Sequence, residues 1–94
     1  MIFLVLHLGS KWMVPHRHVL AILDLRTADN PDTRAFLRDA REQNALASVP
    51  GGAPRSAVIA VDEAGARRVY LSPISAATLK RRNLLAGSTE RGAV

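Results

Sequence analysis

The chain has 94 residues, enough for one domain with a single core of thin margin, for which self-association is a common remedy. It contains no cysteine, which excludes disulfides, thiol catalysis and cysteine-based zinc sites and fits a reducing compartment. Lys and Arg number 13 against 8 Asp and Glu, a formal charge of +5, and 11 of the 13 are arginine. That balance suits a phosphate or other polyanion, and equally a merely soluble surface.

The apolar start, Met1 to Leu6, has no basic segment before it and breaks at His7, too short for a signal peptide. No apolar run is long enough to span a membrane, so a cytoplasmic, soluble protein is expected. Ile2 to Leu8 reads as a strand apolar on both faces, which implies burial on both sides and, in so small a chain, contact with another subunit. Gly9-Ser10-Lys11 is a turn, and Trp12-Met13-Val14 a short second strand closed by Pro15. Val19 to Leu25 is another apolar segment of strand length; a helix is the alternative, but no strong cap precedes it.

Asn30-Pro31 marks a helix start, with Asn as N-cap, Pro at the first helical position and Asp32 at the positive end of the dipole. The helix is expected to run to about Asn44. Phe36, Leu37 and Ala40 form its apolar side, and Arg34, Arg38 and Arg41 recur along another. Leu46 to Val49 is a brief strand, and Pro50-Gly51-Gly52-Ala53-Pro54 a loop by composition.

Arg55 to Arg82 is the most ordered stretch. Ala57 to Val61 is a β-branched strand, Asp62 to Ala66 a hairpin loop with one glycine, and Arg67 to Leu71 the return strand, stopped at Ser72-Pro73. Ser75 stands as the N-cap of a second helix, read as ending in Lys80-Arg81-Arg82, where positive charge complements the dipole. The expected fold is α+β: a small mixed sheet of short strands with two helices, at about 30–44 and 75–85. One domain spans 1–86, and 87–94 is a flexible tail without apolar periodicity.

The Arg34, Arg38, Arg41 stripe suits a phosphate backbone, or is a solvated face in which Arg38 pairs with Glu42. Arg55, beside a glycine-rich loop, is placed to reach a phosphate or to guard a strand edge. His16 and His18 share a strand face, but zinc needs a third ligand and only His7 and carboxylates remain, so no metal and no cofactor is expected. No G-x-S-x-G, H-E-x-x-H or P-loop occurs, and an enzyme is not expected.

The run Tyr70-Leu71-Ser72-Pro73-Ile74-Ser75-x-x-Thr78-Leu79-x-x-Arg82 resembles the bacterial extracellular matrix regulators RemA and RemB. The resemblance extends to His7-Leu8-Gly9, to Val19 to Asp24, to Arg34-x-Phe36-Leu37-x-x-Ala40-x-Glu42 and to Pro54-Arg55-Ser56, covering residues 1–83 and leaning to the RemB branch. It implies a ring-forming subunit and a DNA-associated activator of matrix and biofilm genes, which contacts phosphate and shape rather than base edges. Of the DNA-binding arginines of RemA-like proteins, the loop pair falls near Ala53-Pro54-Arg55, matching at Arg55 alone, and the other falls at Arg17 or, with a one-residue slip, at His18. The expected DNA contacts are therefore Arg17, His18 and Arg55, with Arg34 and Arg38 in support. The alternative is an oligomer that binds no DNA and modulates another regulator through a protein partner.

Overall fold

The computed structural model describes residues 4–27 and 30–92, the last seven of these and residue 27 by their backbone only. Eight elements follow in chain order. β1 (Val5–Gly9) and β2 (Trp12–Pro15) form an antiparallel hairpin, and β3 (Val19–Asp24) follows a single 3₁₀ turn at His16–His18. Next come α1 (Pro31–Glu42) and the short β4 (Leu46–Ser48). β5 (Ser56–Val61), β6 (Arg67–Ser72) and α2 (Ala76–Gly92) complete the chain.

The strands divide into two sheets. The β1–β2 hairpin stands alone, while the larger sheet has the order β3-β5-β6-β4. In it β3, β5 and β6 pair antiparallel, and β4 joins β6 in parallel, so the sheet is mixed as expected.

Alternation along the strands sends two sets of side chains to opposite faces. Ala57, Ile59, Val69, Leu71, Leu23 and Leu46 face α1, which lays Phe36, Leu37 and Ala40 on them. Ile22, Val58 and Tyr70 face the other way, toward Leu6, Leu8, Val14 and the α2 residues Ala76 and Leu79. Three layers result: α1, the four-stranded sheet, and a third layer in which the β1–β2 hairpin and α2 lie together. Trp12 meets Tyr70 edge to face, with ring centroids 6.0 Å apart, fixing the hairpin over β6.

The helix starts follow the expected chemistry. The Asn30 side chain accepts the Asp32 backbone N–H at 2.8 Å, and Pro31 sits in the first turn. At α2 the Ser75 hydroxyl accepts the Thr78 N–H at 3.3 Å.

One expectation is corrected. α2 does not end at Lys80-Arg81-Arg82. It continues to Gly92, so those cations lie in its first half, away from the carbonyl end of the dipole. Asn83-Leu84-Leu85-Ala86 holds no glycine or proline to stop it. Within one chain the first strand buries Leu6 and Leu8 and exposes Val5 and His7, the face for which contact with another subunit is expected. Its residues 2 and 3 lie outside the described residues.

Candidate nucleic-acid interface

Arg55 is held firmly at its backbone. Its N–H donates to the Ser72 carbonyl at 2.8 Å, and its own carbonyl accepts from the Leu25 N–H at 3.1 Å. The side chain that leaves this anchored position is exposed. Arg17 is exposed in the 3₁₀ turn before β3. His18, half-buried, lines a shallow hollow with Met13, Ala60, Val61 and the Asp62-Glu63 corner. Its neighbour His16 donates from Nδ1 to Asn83 Oδ1 at 2.9 Å, tying the same turn to α2. The two histidines thus serve different surroundings. Among the described residues, no three His, Asp or Glu side chains are grouped for a metal ion.

The structure does not bring Arg17 and Arg55 together within one subunit. β3 runs antiparallel to β5 with Val19 opposite Ala60 and Asp24 opposite Ser56. Arg17 and His18 therefore lie at the β5–β6 hairpin end of the sheet, and Arg55 at the other end. At about 3.3 Å per residue the intervening strand spans roughly 17 Å. Arg34, in the first turn of α1, belongs to the Arg55 end, because α1 starts soon after Leu25 has bonded to Arg55. Arg38 lies one turn further along the same exposed face, and Arg41 beyond it.

The charges divide into committed and uncommitted ones. Arg26 grips Asp24, Nη2 to Oδ2 at 2.8 Å and Nε to both carboxylate oxygens at 3.2 and 3.1 Å. That grip, joined by the Arg26 backbone N–H, lowers the Asp24 carboxyl to about 2 and raises the Arg26 guanidinium. Arg68 stands 3.6 Å from Asp62. The Asp62 carboxylate accepts the backbone N–H groups of Ala66 at 2.8 Å and Ala64 at 2.9 Å. These bonds, the Ala66 one foremost, hold the Asp62 pKa below the ordinary carboxylate range.

By contrast, among the described residues no carboxylate comes within ion-pair distance of Arg17, Arg34, Arg38 or Arg55. The Arg38–Glu42 pair expected of a solvated helix face does not form. Among the described residues, six arginines on α1 and at the two ends of the sheet are outside any ion pair: Arg17, Arg34, Arg38, Arg41, Arg55 and Arg67.

A hollow of about 470 Å³ lies between the end of α1 and the start of β6, lined by Phe36, Asp39, Gln43 and Arg67 among others. None of the residues expected to contact DNA lines it.

Sequence comparison places these features in a known family. The family model of extracellular matrix regulatory protein A-like (RemA-like) proteins matches residues 5–82. The chain belongs to this family. It is also 30% identical over 77 residues to extracellular matrix regulatory protein B of Bacillus subtilis (strain 168), an alignment covering 82% of this chain and 86% of the relative. The family is named for regulation of the extracellular matrix. The matched span takes in both ends of the large sheet, and with them Arg17 and Arg55. The Tyr70-to-Ser75 run that carries the resemblance has a physical role here. Tyr70 packs on Trp12, Leu71 on the α1 side, and Ser72 and Ser75 secure the entry to α2.

Sequence reading missed the outward-facing apolar residues. Leu20 is 58% exposed, Met13 58% and Leu84 70%. The signal at Leu20 was hidden because every residue from Val19 to Leu23 is apolar. A bulge between Val19 and Ala21 sets which of them faces out. No described helix is long and apolar enough to cross a membrane.

Proposed function

We propose that this protein is a cytoplasmic transcriptional regulator of extracellular matrix and biofilm genes. It assembles as a ring of identical subunits and holds the DNA backbone through arginines repeated around that ring. It is a binding protein, not an enzyme, and uses no cofactor. The observation that carries the reading is Arg55: an exposed guanidinium free of carboxylates among the described residues, on a backbone fixed by hydrogen bonds on both sides. A cation presented this way loses little freedom when it meets a phosphate, and its guanidinium matches phosphate geometry.

Membership of a family named for matrix regulation supports the regulatory part. The exposed Leu20, Leu84 and Met13 support self-association. The separation of Arg17 and Arg55 also fits repetition. Their spacing of roughly 17 Å exceeds the ~12 Å width of the major groove. Two such contacts per subunit, multiplied by a ring, gain by effective concentration what each lacks alone.

The test is fluorescence anisotropy with a labelled duplex at several salt concentrations. The expected result is a steep fall of affinity with salt, and in Arg55→Ala a log–log slope shallower by about one or more units. An interaction indifferent to salt would refute phosphate binding.

A second reading is an oligomer that binds no DNA and modulates another regulator through a protein partner. It is favoured by the fact that no single subunit gathers its open arginines at one place. It predicts a stable oligomer that leaves the duplex unshifted.

A further inference from the structure

Two exposed apolar sites occupy different parts of the subunit. One is a groove of about 260 Å³ between the free edge of β3 and α2, walled by Leu20, Ile22 and Leu84, with Lys80 at its rim. β3 is an edge strand of six residues, apolar except for Asp24. Such an edge is a template for association. The other site is the outer side of the β1–β2 hairpin, where Met13 projects, 58% exposed, in a hollow it shares with Glu63.

The two sites share no residue and are opposite in charge. Glu63 is exposed and has no cation within ion-pair distance among the described residues, whereas Asp62 beside it is engaged with Arg68. Lys80 is exposed, with no carboxylate at that distance either; Asp24 feels its charge only at longer range. One site is bordered by an ammonium, and the other exposes a thioether and is bordered by a carboxylate.

We infer that the groove between β3 and α2 receives the Met13 face of a second copy of this chain, with Glu63 of that copy meeting Lys80. The inference rests on the self-assembly proposed above and names the surfaces that carry it. Met13 suits the role because its unbranched thioether adapts to an irregular groove. The contact is heterologous: every copy offers one groove and one projecting face, so association proceeds head to tail and closes as a ring when the rotation allows. An isologous pairing of β3 with β3 would leave both Met13 and Glu63 unused, and would set one Lys80-bordered groove against another.

The experiment uses the full chain and two variants, Met13→Glu and Leu84→Glu, followed by sedimentation velocity. Both positions are exposed, so the circular dichroism spectrum is expected to match the parent, while the melting temperature falls by the amount that assembly contributes. The parent is expected to sediment as a large oligomer, and each variant alone as a single chain of 10.2 kDa. An equimolar mixture of the two is expected to form a complex of twice that mass. Met13→Glu retains an intact groove, Leu84→Glu retains an intact projecting face, and only that one combination remains. Charge reversal provides the second arm. Glu63→Lys and Lys80→Glu each weaken assembly, and the double variant restores it.

A parent that sediments as a monomer would overturn both self-assembly and this interface. A parent oligomer with both variants still assembled would overturn the interface alone. Two monomeric variants that fail to combine would overturn the head-to-tail pairing.

Discussion

Ser72 offers the sharpest check on how this fold is held. It is fully buried, and its hydroxyl joins three segments. It donates to the Leu8 carbonyl at 2.6 Å, linking β6 to the separate β1–β2 hairpin. It accepts the Ile74 N–H at 3.1 Å, fixing the turn that launches α2. Ser56, directly across the ladder and also fully buried, completes the arrangement by donating to the Ile74 carbonyl at 2.7 Å. Ser72→Ala keeps the volume nearly constant, so the cost is almost wholly polar. The Leu8 carbonyl, in a fully buried residue, loses its hydroxyl donor, and the half-buried Ile74 N–H loses its acceptor. An orphaned buried group costs ~1–3 kcal/mol, and the half-buried one falls at the lower end, giving about 3 kcal/mol together. A domain of this size has ~5–14 kcal/mol in all, so the loss is substantial, and it corresponds to a fall in Tm of roughly 10–20 °C. The assay is urea and thermal unfolding at one fixed protein concentration, since the proposed assembly would make apparent stability depend on concentration. Ser48→Ala, at an exposed position of β4, serves as control and should stay within about 0.5 kcal/mol. A Ser72→Ala change no larger than that of the control would refute the claim that this hydroxyl secures the hairpin and α2 to the sheet.

Gly9 has φ of +118°, and a Cβ there would stand 3.4 Å from Pro73 Cγ and 3.5 Å from Val49 Cγ1. The space is merely tight and the backbone conformation decides, so Gly9→Ala should cost ~1–3 kcal/mol in the same unfolding assay. The acid limb of stability should follow the carboxylates at Asp24 and Asp62, both held below their ordinary pKa. A depressed folded pKa means that the unfolded chain binds more protons. The stabilisation is therefore present above about pH 4 and is lost as pH falls toward the Asp24 value of about 2. Asp24→Asn should flatten that limb in urea melts across the acid range and leave the slope near neutrality unchanged.

The parts of the fold that sequence made legible are those decided locally. The β5–β6 hairpin needs only two β-branched runs and a polar loop, and Asp62 adds side-chain bonds to Ala64 and Ala66 inside that loop. Both helix starts need only a capping side chain, and Asn30 and Ser75 supply one each. Partnership between distant strands was not legible. Val5 to Leu8, apolar but for His7, and Val19 to Leu23 both read as strands, yet among the described residues the first pairs with its neighbour β2 and the second forms the edge of the larger sheet. The end of α2 was misread because Lys80-Arg81-Arg82 resembles a C-terminal turn. Charge alone does not end a helix when good helix formers follow. At the candidate interface the residue types were legible, but not their placement. Arg17 and Arg55 lie 38 positions apart in the sequence, and only the antiparallel pairing of β3 with β5 sets them at opposite ends of the sheet.

That placement constrains how any DNA-binding role must work. Within one subunit the open arginines are spread over α1 and both ends of the larger sheet, while Arg26 and Arg68 are spent on Asp24 and Asp62. A lone subunit thus offers a few separated phosphate contacts and no concentrated patch, and at physiological salt such contacts are individually weak. Affinity has to come from repetition, with each subunit's contacts made intramolecular by its neighbours. The surfaces proposed to hold the copies together contain none of those arginines: Leu20, Leu84 and Lys80 on one side, Met13 and Glu63 on the other. The arginines proposed to contact DNA are therefore separate from the proposed contact surfaces, although His18 lines the same hollow as Met13 and Glu63. On the proposed reading, Arg55→Ala is expected to weaken DNA binding and leave the oligomer intact, whereas Leu84→Glu is expected to lower DNA affinity although no phosphate ligand has changed.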